Sequence, residues 1–126
     1  MYQKSFLSLE EARAVGEAAL AKAKSTKGWP MAIAVVDAVG ELVYFVKMDN
    51  QFPFHNSANN MAIYKAYTAA QFGMDTGDIA AFLKADGRVL SEFPDPRFTT
   101  VPGGVCLKAP DGTVLGAIGT SGRAQT

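Results

Sequence analysis

Lys65 is the residue of this chain whose position most calls for chemistry. The segment 57–72, SANNMAIYKAYTAAQF, reads as a helix with one apolar stripe. At about 100° per residue, Ala58, Met61, Ala62, Ala69 and Phe72 gather on one arc, and Lys65 falls in its middle. An ammonium in that position must snorkel to water, pair with a carboxylate or serve a site. Snorkelling or a structural ion pair is the bland reading. A pocket that uses the charge is the functional one.

Few other residues compete with it. His55, the only histidine, stands just before that helix. Its neutral-range pKa suits proton transfer or metal ligation, although a lone histidine is also an ordinary surface or capping residue. Asp37 and Asp49 lie at the two ends of one hairpin, and either is placed to neutralise Lys65. Asp37, in Asp-Ala-Val-Gly, is equally well explained as a turn residue. Gly103-Gly104 offers consecutive amides, read either as an anion nest or as a bulge that opens a strand. Ser121-Gly122 lacks the spacing of a nucleophile elbow, which argues against a serine hydrolase. Cys106 falls inside an expected strand and reads as a small core residue.

Composition narrows the classes. The chain has 126 residues, 48% hydrophobic and 19% charged, as expected of one globular domain. Twelve basic residues balance twelve acidic ones with no basic cluster, which argues against nucleic acid or an anionic membrane as partner. A near-neutral surface also removes a barrier to self-association. One cysteine excludes an intrachain disulfide and paired-cysteine metal sites. No stretch approaches the ~20 apolar residues of a membrane span, and the start of the chain lacks the apolar run of a signal peptide. The expected location is the cytoplasm.

The elements that position these residues are legible. Ser8 and Glu11 form a capping box ahead of a helix whose stripe is mostly alanine and glycine. It should end before Gly28-Trp29-Pro30. Residues 31–36 are apolar throughout, as in a central strand, and pair through Asp37-Ala38-Val39-Gly40 with a strand over 42–48. The Lys65 helix follows, closed by Gly73. A shorter helix over 76–84 is capped by Asp75 or Thr76. A loop over 85–100, rich in proline and phenylalanine, has a length usually reserved for function or a partner. A second hairpin turns at Pro110-Asp111-Gly112, and glycines 116, 119 and 122 in its return strand point to a cavity floor or a subunit contact.

In that order, the blocks VVDAVGELVYFVKMD, KAYTAAQFG and PGGVCLKAPDGTVLGAIGTSG resemble the GlcG/HbpS family. This family, also called the haem-degrading or DUF336 domain, includes the C-terminal domain of PduO-type proteins. The likeness runs over about 7–122. It implies an α+β, profilin-like fold with an antiparallel sheet of about five strands flanked by helices, and a tendency to form homo-oligomers. Relatives continue after the final Ser-Gly into a further helix, which this chain is expected to lack. The segment 50–56, NQFPFHN, is more aromatic than the short glycine-rich link of relatives, which points to a different ligand.

Two functions follow. The first is a small-ligand binding protein for non-covalent haem or a related planar cofactor, since no C-x-x-C-H motif is present. Phe52, Phe54 and Tyr64 would give ring contacts, Gly103 and Gly104 backbone contacts, and His55, a tyrosine or a hydroxyl the metal ligand. The second is a cofactor-independent enzyme or accessory factor of small-molecule catabolism. There Lys65 would bind an anionic substrate while His55, Asp37 or Asp49 moves a proton. A plain interaction module ranks third.

Overall fold

The computed structural model describes residues 7–51 and 56–123. Helix α1 (Leu9–Ser25) opens on the expected capping box: Glu11 donates its amide to Ser8 Oγ at 3.1 Å, and Ser8 donates its own to Glu11 Oε1 at 2.9 Å. Strands β1 (Ala32–Asp37) and β2 (Leu42–Lys47) form the first hairpin. Helices α2 (Asn56–Phe72) and α3 (Thr76–Ala85) follow. The loop after them holds a single 3-10 turn at Leu90–Glu92. Strands β3 (Gly104–Lys108) and β4 (Val114–Ser121) make the second hairpin. The fold is α+β, as expected.

Among the described residues the sheet is antiparallel with the order β2-β1-β4-β3, four strands where about five were expected. One strand from each hairpin sits in the middle, so β1 is buried at every position but its last. Even-numbered β1 residues, Ala32, Ala34 and Val36, face α2; Ile33 and Val35 face α1. The alternation follows from the pleat, which sends successive side chains to opposite faces.

The α2 face is built from the smallest residues available. Ala34 pairs with Phe45 on one side and Gly119 on the other, and Gly119 pairs with Gly104. A Cβ on Gly119 would overlap the Ala62 carbonyl and come within 2.7 Å of the Ala66 amide; one on Gly104 would overlap the Lys65 carbonyl. The glycine of β4 therefore admits the backbone of α2, where a cavity floor or subunit contact was expected. Above it, Ala62, Ala66 and Ala69 are fully buried.

The long loop is ordered from within the chain. Thr68 is fully buried; its hydroxyl donates to the Tyr64 carbonyl at 2.8 Å and accepts the Thr99 amide at 3.1 Å. Tyr67 donates its hydroxyl proton to Asp95 Oδ2 and accepts from Arg97 Nη2 at 2.7 Å. Asp95 in turn takes Arg97 Nε at 3.0 Å. Phe98 stacks on Tyr67 at 5.7 Å and meets Phe72 edge-on at 5.0 Å. Loops of this length need such internal packing to stay in one conformation.

Asp75 was expected to cap α3, but its side chain makes no cap bond there. It accepts the Cys106 amide at 2.9 Å instead, while Thr76 Oγ1 accepts the Gly104 amide at 2.9 Å. The start of α3 thus covers the outer edge of β3.

Two measurements test this architecture. Gly119→Ala forces α2 off the sheet and should cost about 1–3 kcal/mol or more by chemical denaturation, the usual penalty for overpacking; an unchanged midpoint would contradict the backbone contact. The second concerns acid. Hydrogen bonds from Arg97 and then Tyr67 hold the Asp95 carboxyl down at about 2, from an ordinary 3.8. A depressed carboxyl stabilises the fold above its unfolded value and loses that contribution as pH falls from about 3.8 towards 2. Asp95→Asn should flatten the stability profile in that window and raise proteolytic cleavage within 93–98; retention of the wild-type acid profile would exclude this role for Asp95.

Candidate functional site

The strand ends that meet beside Lys65 belong to the second hairpin, where β3 begins and β4 finishes. Lys65 is only 4% exposed. Its stripe is not the only covered face of α2, because every position over 65–70 is buried, between the sheet on one side and the long loop on the other. A lysine in this stretch exposes almost none of its surface, so snorkelling into bulk water is not its solution.

The amine lies against β4. Lys65 Nζ donates to the Thr120 carbonyl at 2.9 Å, and Thr120 donates its amide to the Gly103 carbonyl at 3.0 Å. Gly103 has φ +127°, a backbone conformation side chains rarely adopt, and a Cβ there would lie 2.9 Å from Nζ. Glycine is required twice over, for that backbone conformation and because a Cβ would come within 2.7 Å of the Thr120 carbonyl. No carboxylate among the described residues pairs with Lys65. An ammonium has three donors, of which the Thr120 carbonyl takes one. Burial lowers its proton affinity below the ordinary 10.5. The site therefore presents a buried cation with donors to spare.

The other sequence candidates are distributed around it. Asp37 is committed to its turn: Oδ1 accepts the amides of Val39 and Glu41, each at 3.0 Å. Asp49 is exposed and lines a groove of about 320 Å³ beside Leu20 and Lys24 of α1, on the other face of the sheet from Lys65. Neither forms the pairing with Lys65 that its place in the hairpin allowed. Gly104 has already given its amide to Thr76, so Gly103 and Gly104 do not offer two free amides in a row. Tyr64 is half-buried and one residue from Lys65 on α2. Phe52, Phe54 and His55 lie outside the described residues. Cys106 packs beside the α2 cluster, and burial pushes its thiol up from 9.0, away from reactivity.

The Tyr67, Asp95 and Arg97 group was not anticipated. Its trace in the sequence is Asp95-Pro96-Arg97-Phe98, an acid and a base two residues apart beside an aromatic. Arg97 also lies 3.9 Å above the Tyr67 ring. Burial, then the bond to Asp95, raises the Tyr67 pKa, so its phenol stays protonated and serves as an anchor. No helix among the described residues is long and apolar enough to cross a membrane, and no cluster of metal-ligating side chains occurs among them.

Comparison with known proteins agrees with this architecture. No curated protein matches the chain. Among solved structures, a double mutant of Streptomyces reticuli HbpS superposes with a TM-score of 0.81 at 26% identity, over 97% of this chain and 78% of that one. Klebsiella pneumoniae protein ORFY, of the DUF336 group, gives 0.78 at 24% identity over 97% and 82%. A PduOC:heme complex gives 0.78 at 24% identity over 94% and 84%. Residues 7–126 match the family described as haem degrading protein HbpS-like. The chain belongs to the HbpS-like family.

Proposed function

We propose that this protein binds a small, acid-bearing planar ligand, haem or a related cofactor, without a covalent link. The observation that carries the reading is Lys65: a buried ammonium with no carboxylate partner among the described residues and spare donors. Such a group is costly to keep unless an anion completes it. The carboxylates of a haem-type ligand fit that charge, and its apolar ring fits the aromatic residues that precede α2 in the chain. Lys65 would hold an acid group, Tyr64, Phe52 and Phe54 the ring, and Gly103 would leave room beside the amine. His55 is the candidate metal ligand. A bound metal–porphyrin would supply redox or oxygen chemistry. Family membership and the PduOC:heme neighbour support this reading.

The enzymatic alternative uses the same cation. Lys65 would then hold an anionic substrate, and His55 or Asp49 would exchange the proton, since Asp37 is occupied by its turn. The depressed proton affinity of Lys65 favours this reading enough to test it. In either case the working form is a homo-oligomer, in keeping with the chain's balanced charge.

Hemin titration separates the two readings. A binding protein should give a saturable, shifted Soret band near one haem per chain, and His55→Ala should change the spectrum without abolishing the fold. A featureless, non-saturating titration removes haem.

Lys65→Met tests the cation. Ligand affinity should fall about tenfold or more, matching the ~1.5–3 kcal/mol of a hydrogen bond to a charged group. Thermal stability should hold or rise, because no buried carboxylate is stranded. The sign with pH is fixed. The folded state binds the Lys65 proton less tightly than the unfolded chain, so the charge costs stability at neutral pH, and that cost fades as pH rises towards 10.5. The stability gap between variant and wild type should therefore narrow in alkali. Unchanged affinity in the variant would sink the assignment.

A further inference from the structure

Lys65 is only 4% exposed, so an anion that reaches it needs a way in. On the sheet side the cover is fixed, because the backbone of α2 rests on Gly119 and Gly104 with no room for even a Cβ between them. The loop side is thin. Phe98 is packed on Tyr67 and Phe72, and Gly104 is buried with its amide on Thr76 Oγ1. Between these two anchors the chain crosses as residues 99–103. None of them is buried, Val101 is 45% exposed, and neither hydrophobic cluster includes any of them.

What holds this stretch down is polar and sparse. At its start the Thr99 amide donates to Thr68 Oγ1 at 3.1 Å. At its end the Gly103 carbonyl accepts the Thr120 amide at 3.0 Å and, more weakly, Thr120 Oγ1 at 3.5 Å. The Val101 amide bonds only within the stretch, to Thr99 Oγ1 at 3.2 Å. Gly103 is the part that lies on Lys65: a Cβ there would come within 2.9 Å of Nζ and 3.1 Å of Cδ. Beside Thr100 a groove of about 440 Å³, shared with Ala80, Leu83 and Leu90, leaves space for movement. Segments with few buried apolar contacts and exposed backbone bonds open well below the free energy of global unfolding.

We infer that residues 99–103 are a strap that lifts from α2 while the sheet stays intact and so admits an anion to Lys65, with the Thr68 hydroxyl as the catch that holds it down. Gly103 serves as the joint, since its backbone is free to turn where other residues are not. Thr68 is thereby a positioning residue, which acts on Lys65 through the strap and touches no ligand. The inference rests on the anion-binding reading of Lys65 and supplies its route of entry.

Acetylation by N-hydroxysuccinimide acetate, followed by peptide mass spectrometry on the full chain, reads the opening without any ligand. The exposed Lys22 and Lys108 are the references. Lys65 should react slowly, at a rate nearly independent of low urea, because lifting a strap exposes little surface. Thr68→Val keeps the shape and removes the acceptor of the Thr99 amide. It should speed Lys65 acetylation about fivefold, the worth of one ordinary hydrogen bond, with the reference lysines unchanged. Thr68→Ser should restore the wild-type rate, and hemin association by stopped flow should accelerate in Thr68→Val by the same factor. A wild-type Lys65 rate that climbs with urea in step with hydrogen exchange at Ile33 and Val35 of β1 means access through global unfolding, and overturns the strap whether or not Thr68→Val folds. An unchanged Lys65 rate in folded Thr68→Val overturns it too, as does failure of Thr68→Ser to restore the rate. Hemin that does not bind, with acetylation as expected, overturns the haem reading and leaves the strap standing.

Discussion

The backbone of α2 resting on the backbone of the sheet is the constraint from which the rest follows. Helices usually stand off a sheet by the length of their side chains. Here the Gly119–Gly104 pair and Ala34 beside it remove the side chains on the sheet, and Ala62, Ala66 and Ala69 remove them on the helix. The gain is dense packing from many small contacts, none of them strong alone. The constraint is geometric: the helix has little freedom to roll or slide, so any long side chain on it has one place to go.

Lys65 shows what that rigidity does. Its carbonyl lies over Gly104, and its stem runs beside Gly103 to reach the end of β4. The charge is thus held by packing rather than by an opposing charge, which leaves it available. Desolvation with a single backbone acceptor in return is unfavourable for folding, and the lowered proton affinity of Lys65 reflects it.

Much of this was legible in the sequence and part was not, for identifiable reasons. The helices, both hairpins and their turns followed from capping, periodicity and glycine placement, all local signals. Lys65 stood out because a charge in an apolar stripe is a local anomaly. Its acceptor was misplaced: Asp37 and Asp49 are near it in pattern, but the carbonyl that accepts its hydrogen bond is a backbone group with no residue signature. The role of Asp75 was hidden in the same way, since an aspartate before a helix looks like a cap whether it bonds the helix or a strand beside it. The Tyr67 anchor joins residues 28 and 30 positions apart, beyond the reach of any period.

Arg123 joins the two ends of the same fold. Its guanidinium donates to the Ala23 carbonyl, to Thr26 Oγ1 and to the Trp29 carbonyl, each at 2.8 Å. The Ala23 carbonyl and Thr26 Oγ1 lie at the open end of α1, where a cation suits the dipole, and the Trp29 carbonyl lies in the loop beyond it. The bonds span sequence separations of 94, 97 and 100 residues, almost the whole described chain. Contacts of such range carry a large loop-closure entropy. The guanidinium thus acts as a latch that ties the end of α1 and the loop after it to the tail of β4. Early opening of the native protein should begin where this latch lets go, with the end of α1 and the tail of β4 released together.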